Sequence, residues 1–311
     1  MSLAKKDNMT KGVEAVNAGF GAIMEGIKKD IRQFIKDEYG PLERKIITVV
    51  DGKKVEQRGF VHEAFNTVLK FVSNNEPVLL SGPAGSGKNF ICKQVADALG
   101  LEFYFSNAVT QEYKLTGFID AMGKYQETQF YKAFTNGGLF MLDEIDASIP
   151  EVLIILNAAI SNGYFDFPIG KVEAHPDFRV VAAGNTTGHG STYEYIGRNQ
   201  LDGASLDRFA LVEIDYDAKI EEGISGDKGL AEFCRSFRTV SEDNGINIIV
   251  SYRSIQRLSK MVQLLGLDEA LKTCLIKDLE KDDLQIIYNN LEPSEYRTAI
   301  GSLLEQMDDD D

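Results

Sequence analysis

Eight residues, Gly82-Pro83-Ala84-Gly85-Ser86-Gly87-Lys88-Asn89, have the types and order of a phosphate cradle. Glycines let consecutive backbone N–H groups curl around a β-phosphate without Cβ clashes. A helix opening through Phe90 would add a favourable dipole, and Lys88 a point charge for the β- and γ-phosphates. The last position of such a P-loop commonly carries Ser or Thr, whose hydroxyl binds Mg²⁺. Here it is Asn89. An amide oxygen also ligates Mg²⁺, with different geometry, so metal affinity and turnover are what this departure puts in question. The plain alternative is a glycine-rich turn. The flanks disfavour it, because Pro77-Val78-Leu79-Leu80-Ser81 is an apolar run and residues 90–99 form an amphipathic one.

Further along, Gly138-Leu139-Phe140-Met141-Leu142-Asp143-Glu144 is an apolar run ending in two acids, with Asp143 placed 55 residues after Lys88. A buried strand would deliver Asp143 to a sheet rim as a Mg²⁺ ligand and let Glu144 polarise a water for in-line attack on a γ-phosphate. Alone, the pair could as well cap the helix that follows; with the cradle upstream, phosphoryl chemistry is the stronger reading. Asn185 ends the run Arg179-Val180-Val181-Ala182-Ala183-Gly184. Its amide can orient the attacking water or touch the γ-phosphate, the alternative being an Asx-turn. Arg208 precedes an apolar run on the side away from its own cradle, where it could reach a neighbouring copy's γ-phosphate. Such arginine fingers are worth roughly 10³–10⁵ in rate; the alternative is a surface pair with Asp207 or Asp202. Arg253, at the start of a helical stretch, could link nucleotide to lid, with Arg257 as a competing candidate and a helix-surface arginine as the alternative.

These residues need a scaffold, and the chain supplies one in outline. Residues 1–40 carry apolar positions at three- and four-residue spacing, which predicts a helical arm ended by Gly40-Pro41. Residues 46–50 and 53–57 flank Asp51-Gly52 as a hairpin with a two-residue turn. A helix is expected from His62 to Val72. Short apolar runs then alternate with helical patterns, which predicts a parallel sheet with crossover helices. The expected strands are Val78–Ser81, Glu102–Ser106, Leu139–Leu142, Arg179–Ala183 and Leu211–Ile214. Ligands in such sheets bind beyond the carboxyl ends of strands, where the candidates fall. Residues 164–173 read as a second hairpin. Residues 113–125 are too glycine-rich for a continuous helix, and Phe118 and Tyr125 read as core or as client-gripping aromatics. From about residue 218 the pattern is helical, with helices expected over 230–240, 254–265, 268–276 and 294–306.

At 311 residues the chain suits one large domain and a smaller one. Its net charge of −15 argues against a surface built broadly for nucleic acid. Three scattered cysteines without paired spacing predict a reduced, cytoplasmic protein, and three scattered histidines make a zinc site a poor expectation. No run approaches a membrane span, and the N-terminus lacks a signal-peptide core. Asp308–Asp311 reads as a solvating tail.

As an ordered set, Gly82–Asn89, Leu139–Glu144, Asn185, Arg208 and Arg253 resemble the AAA+ ATPases. The Leu115-Thr116-Gly117 region, the 164–173 hairpin and the stretch from Ala183 to Phe209 are similar to the MoxR/CbbQ/CobS-like, dynein-related branch. The resemblance covers about residues 60–265. It implies an α/β P-loop NTPase (AAA+) core, a parallel sheet flanked by helices, over 60–217. The helical pattern from about residue 218 gives a small C-terminal all-α lid domain over 218–311, while the arm and hairpin over 1–59 and the last 45 or so residues lie outside the resemblance. It implies ATP and Mg²⁺ as ligands: Gly82, Pro83, Ala84, Gly85, Ser86, Gly87, Lys88, Asn89 and Phe90 for nucleotide, and Asn89 with Asp143 for metal. Glu144, Asn185, Arg208 and Arg253 are then the catalytic set. The implied working form is a homo-oligomeric ring, expected to be a hexamer, that remodels or activates a protein client, often with a von Willebrand-type partner. Two other classes stay open at this point, a nucleotide-gated assembly module with little turnover and a DNA-acting motor.

Overall fold

The computed structural model describes residues 46–50, 53–57, 59–191 and 195–309. The expected arm over 1–40, the Asp51-Gly52 turn and the last two aspartates lie outside these residues. Strands β1 (Ile46–Val50) and β2 (Lys53–Gln57) pair antiparallel with Val50 opposite Lys53, the register a two-residue connection dictates. Helix α1 (Phe65–Ser73) buries Phe65, Val68, Leu69 and Val72 along one stripe. It starts three residues later than the sequence pattern suggests. His62 Nδ1 accepts the Ala64 N–H while Nε2 donates to the Asp215 carbonyl, so this residue belongs to a turn.

Then come β3 (Val78–Ser81), α2 (Lys88–Leu99), β4 (Phe103–Ser106), α3 (Tyr113–Thr116), β5 (Phe118–Ile119), β6 (Tyr125–Gln126), α4 (Gln129–Asn136) and β7 (Gly138–Leu142). A single 3-10 turn over Ile145–Ala147 leads to α5 (Pro150–Asn162), which opens on proline where no intrahelical N–H is needed. The hairpin β8 (Tyr164–Phe167) and β9 (Gly170–Glu173) falls where the sequence places it, and is followed by β10 (Phe178–Gly184), α6 (Gly203–Leu206) and β11 (Ala210–Glu213).

Five strands form one parallel sheet in the order β11-β3-β10-β7-β4. Alternate residues supply its two faces. Leu79, Phe140, Leu142, Val180 and Ala182 pack with Phe130, Phe134, Leu153 and Leu156 of α4 and α5. Val78, Leu80, Leu139, Met141, Val181 and Ala183 pack instead with Phe65, Leu69, Ile91 and Val95 of α1 and α2. Burial on both faces is why these strands read as continuous apolar runs rather than alternating ones. Because β10 lies between β3 and β7, the carboxyl end of β10 stands between the cradle and the acid pair.

After β11 the chain is helical: α7 (Ala218–Ser225), α8 (Lys228–Asp243), α9 (Tyr252–Leu265), α10 (Leu267–Cys274), α11 (Lys281–Asn290) and α12 (Glu295–Asp309). They share a separate core around Phe237, Ile255, Leu271, Ile287 and Ile300. Helix α12 continues through Asp308 and Asp309, so these two aspartates belong to the helix rather than to a free tail. Among the described residues no helix is long and apolar enough to cross a membrane.

Candidate active site

The cradle closes against β11. A Cβ at Gly82 would stand 1.8 Å from the Ile214 carbonyl oxygen, so only glycine permits this approach. Gly87 then turns into the left-handed region (φ +90°) as the N-cap of α2, and no side chain caps the helix. The first-turn N–H groups of a helix have no intrahelical acceptors, and here they face the loop with a favourable dipole for an anion. Among the described residues Ser86 Oγ, within the same loop, is buried without a hydrogen-bond partner.

Lys88 is only 6% exposed. Its Nζ donates to the carbonyls of Gly82 (2.7 Å) and Pro83 (2.9 Å) and to Asn185 Oδ1 (3.0 Å). Burial holds its pKa down at about 8; Asp143 and Asp146 oppose that fall, while Arg198 and Arg253 add to it. Asn89 Nδ2 donates to Asp143 Oδ2 at 2.9 Å, and Asp143 Oδ1 accepts the Glu144 N–H at 3.0 Å. Thus Lys88, Asn89, Asp143, Glu144 and Asn185, which come from three strand ends, meet at one rim. Glu144 has a left-handed backbone (φ +52°), a conformation that costs a non-glycine residue of order 1 kcal/mol and that tends to persist at functional positions.

Arg253 is an exposed residue in the first turn of α9, and the start of that helix lies on the cradle. A Cβ at Gly85 would be 2.8 Å from Ser251 Cβ and 3.5 Å from Arg253 Nε, and one at Gly87 would be 3.5 Å from the Tyr252 ring. Arg257, one turn on, is likewise exposed. Arg208 stands apart. Its Nε donates to Ser161 Oγ at 3.0 Å and its Nη1 to the Ala204 carbonyl, rather than to Asp207 or Asp202. Ala210 pairs with Val78 while Glu213 pairs with Ser81. Arg208 therefore lies at the entering end of β11, roughly 13 Å of strand from the cradle. Phe90 is 53% exposed on α2. Tyr125 Oη donates to the Thr116 carbonyl at 2.6 Å and so serves its own hairpin, whereas Phe118 is 46% exposed.

Four contributors escape sequence reasoning. Asp146 is fully buried and accepts from the N–H groups of Asn185 and Thr186 and from Thr186 Oγ1, each at 3.0 Å. Arg198 contacts both Asp146 and Glu144. Tyr195 Oη accepts the Ala84 N–H at 3.0 Å, and Tyr216 Oη donates to the Ala84 carbonyl at 2.8 Å, so two tyrosines hold one cradle residue from both sides. Asp146 sits only three residues beyond Asp143, a spacing that could have marked it. Tyr195 and Arg198 fall within the Ala183–Phe209 stretch that carries the resemblance and Tyr216 lies just beyond β11, but nothing in their spacing assigns them these contacts.

The oxygen donors at this rim suit a hard cation. Among the described residues no cluster of three His, Cys, Asp or Glu could hold a metal. Mg²⁺ needs none, because it is commonly held by one or two protein oxygens together with substrate phosphates. Asn89 and Asp143 fit that role.

Residues 77–209 match the AAA domain of the dynein-related subfamily. Midasin of Dictyostelium discoideum is 30% identical over 159 residues, which are 48% of this chain and 3% of midasin. The chain thus spans a very small part of that relative's length. Among solved structures, NtrX of Brucella abortus superposes with a TM-score of 0.49 at 16% identity, covering 92% of this chain and 67% of that one. A RuvB mutant from Thermotoga maritima gives 0.44 at 18% identity, over 77% of this chain and 79% of that one. The domain match and the sheet order agree on a P-loop NTPase fold of the AAA+ kind, followed by a helical C-terminal region.

Proposed function

We propose that this chain is a Mg²⁺-dependent ATPase that works in a closed ring of its own copies, six by expectation, and spends hydrolysis on remodelling or activating a protein client. The observation that carries the reading is a pair of contacts, Lys88 Nζ to Asn185 Oδ1 at 3.0 Å and Asn89 Nδ2 to Asp143 Oδ2 at 2.9 Å. Together they join motifs that are far apart in sequence. In this reading the cradle amides wrap the β-phosphate and Lys88 holds the terminal phosphate. Asn89 and Asp143 would hold Mg²⁺, whose contribution would be to neutralise the phosphate charge. Glu144 takes a proton from the attacking water, and Asn185 orients that water. Arg208 serves the neighbouring copy's site, which its separation from its own cradle supports. Arg253 links the phosphates to the helical region, which its approach to Gly85 supports.

The same reading divides the chain into a nucleotide domain over 60–217 and a lid over 218–311. It places the chain in the MoxR/CbbQ/CobS-like branch and in the cytoplasm, with any von Willebrand-type partner a separate protein.

One contact favours a second reading. The Asn89 amide donates to the carboxylate that Mg²⁺ would use, and an occupied Asp143 suits a nucleotide-gated assembly module with slow turnover. Phosphate release measured against protein concentration, for the chain and for Asn89→Ser, separates the two. A cooperative rise in the unmodified chain supports the motor. A flat baseline that Asn89→Ser lifts supports the module, and a flat baseline in both, with no nucleotide bound, removes both readings.

A further inference from the structure

Arg198 has no part in that reading, yet its side chain is only 14% exposed and lies between two acids of the site. Nη1 is 3.1 Å from Asp146 Oδ1, and Nη2 is 3.4 Å from Glu144 Oε1. The backbone beneath it is fixed. The Arg198 N–H donates to Ser191 Oγ at 3.1 Å, and that hydroxyl donates back to the Arg198 carbonyl at 2.9 Å. Next to it, the Asn199 N–H donates to the Asp146 carbonyl at 2.6 Å and Asn199 Nδ2 to the Ser148 carbonyl at 2.9 Å.

Asp146 is the hub. One carboxylate oxygen takes Arg198, while the other takes the Asn185 and Thr186 N–H groups and the Thr186 hydroxyl. Glu144 is 44% exposed along its side chain, and its ion pair among the described residues is the one with Arg198. A half-exposed carboxylate on a strained backbone has many rotamers open to it, and one guanidinium contact selects among them.

We infer that Arg198 is a positioning residue for Glu144. Through Asp146 it ties the Glu144 carboxylate to the end of β10, and so fixes the spacing between that carboxylate and Asn185. A water held by Asn185 is then met by a base at a set distance. Displacements of about 1 Å between reacting groups cost on the order of 10²-fold in rate. Its bond to buried Asp146 commits the guanidinium to protein acids rather than to a phosphate. The inference rests on the ATPase reading for its rate consequence, but not for its binding consequence.

The test uses the full chain with Mg²⁺ and four variants: Arg198→Gln, Arg198→Lys, Glu144→Gln and the double Glu144→Gln/Arg198→Gln. Arg198→Gln should lower kcat by roughly 10- to 100-fold with KM unchanged, and Arg198→Lys should recover part of the loss. Glu144→Gln should retain nucleotide and keep only residual turnover, read in single-turnover assays, and the double variant should fall no further than Glu144→Gln alone. A loss from Arg198→Gln that adds in full to the Glu144→Gln loss, or a rise in KM that accounts for the effect, overturns the assignment.

Calorimetry with ATPγS and ADP reads the same assignment without turnover. The ratio of the two affinities should be the same in Arg198→Gln as in the unmodified chain. A selective loss of ATPγS would place Arg198 on the terminal phosphate and overturn the proposal. An unmodified chain that binds ATPγS but never hydrolyses ATP would count against the proposed activity alone, and the affinity ratio would still decide the role of Arg198.

Discussion

Lys88 carries a consequence that its sequence motif does not announce. Burial sets its pKa at about 8, well below that of a solvated lysine. A terminal phosphate beside the ammonium would raise that value, because an opposite charge favours the charged form. Nucleotide affinity should therefore be full below pH 8 and fall as pH rises past it, with proton uptake on binding in that range. Calorimetry in buffers of different ionisation enthalpy reads the uptake, and Lys88→Arg should flatten the pH dependence because guanidinium stays charged. An affinity independent of pH between about 7 and 10, where a buried lysine titrates, would contradict the buried-ammonium geometry. The motif residues were legible because the loop chemistry demands particular types in sequence order. Asp146 and Arg198 were not, because their roles come from a β10 end and a loop that meet only in the folded chain.

The sheet strands could be read because both faces are buried, and each appears within about two residues of its expected bounds. The helical region was only partly legible. Helices α7 and α11 were not anticipated; among the ten residues of α11 only Leu284 and Ile287 are buried, too few for a clear stripe. What ties this region to the cradle also lay beyond sequence reading. Glu221 is fully buried, with Arg238 Nη2 at 2.6 Å and Arg235 Nη1 at 3.4 Å. The Arg238 guanidinium lies 3.9 Å over the Tyr216 ring, and the Tyr216 hydroxyl bonds to Ala84. A buried carboxylate stripped of its best partner costs about 3 kcal/mol. Arg238→Ala should therefore lower the denaturant midpoint by a corresponding amount with an unchanged m-value, and weaken nucleotide binding as the Ala84 peptide loosens. An unchanged midpoint would mean that the Arg238–Glu221 pair does not support the helical region.

Arg208 gives the assembled state its own test. It lies at the opposite end of β11 from the cradle, and its bonds among the described residues go to Ser161 and Ala204. Within one copy it has no phosphate to meet, so its proposed partner is a second copy. Arg208→Ala should abolish turnover, and mixing it with Lys88→Ala chains should restore part of the activity, because mixed neighbours rebuild some complete sites. No recovery at any mixing ratio would argue against a site shared between copies.

Underlying all of this is the reading of the Lys88–Asn185–Asp143 rim as a site for a nucleoside triphosphate. Titration calorimetry of the full chain with Mg²⁺ and ATPγS, alongside Lys88→Ala, examines it without assuming turnover or ring formation. Saturable binding by the unmodified chain, weakened at least about tenfold in Lys88→Ala by loss of a charge-assisted contact, is the expected result. No heat of binding in the unmodified chain, or equal affinity in the two proteins, would contradict it.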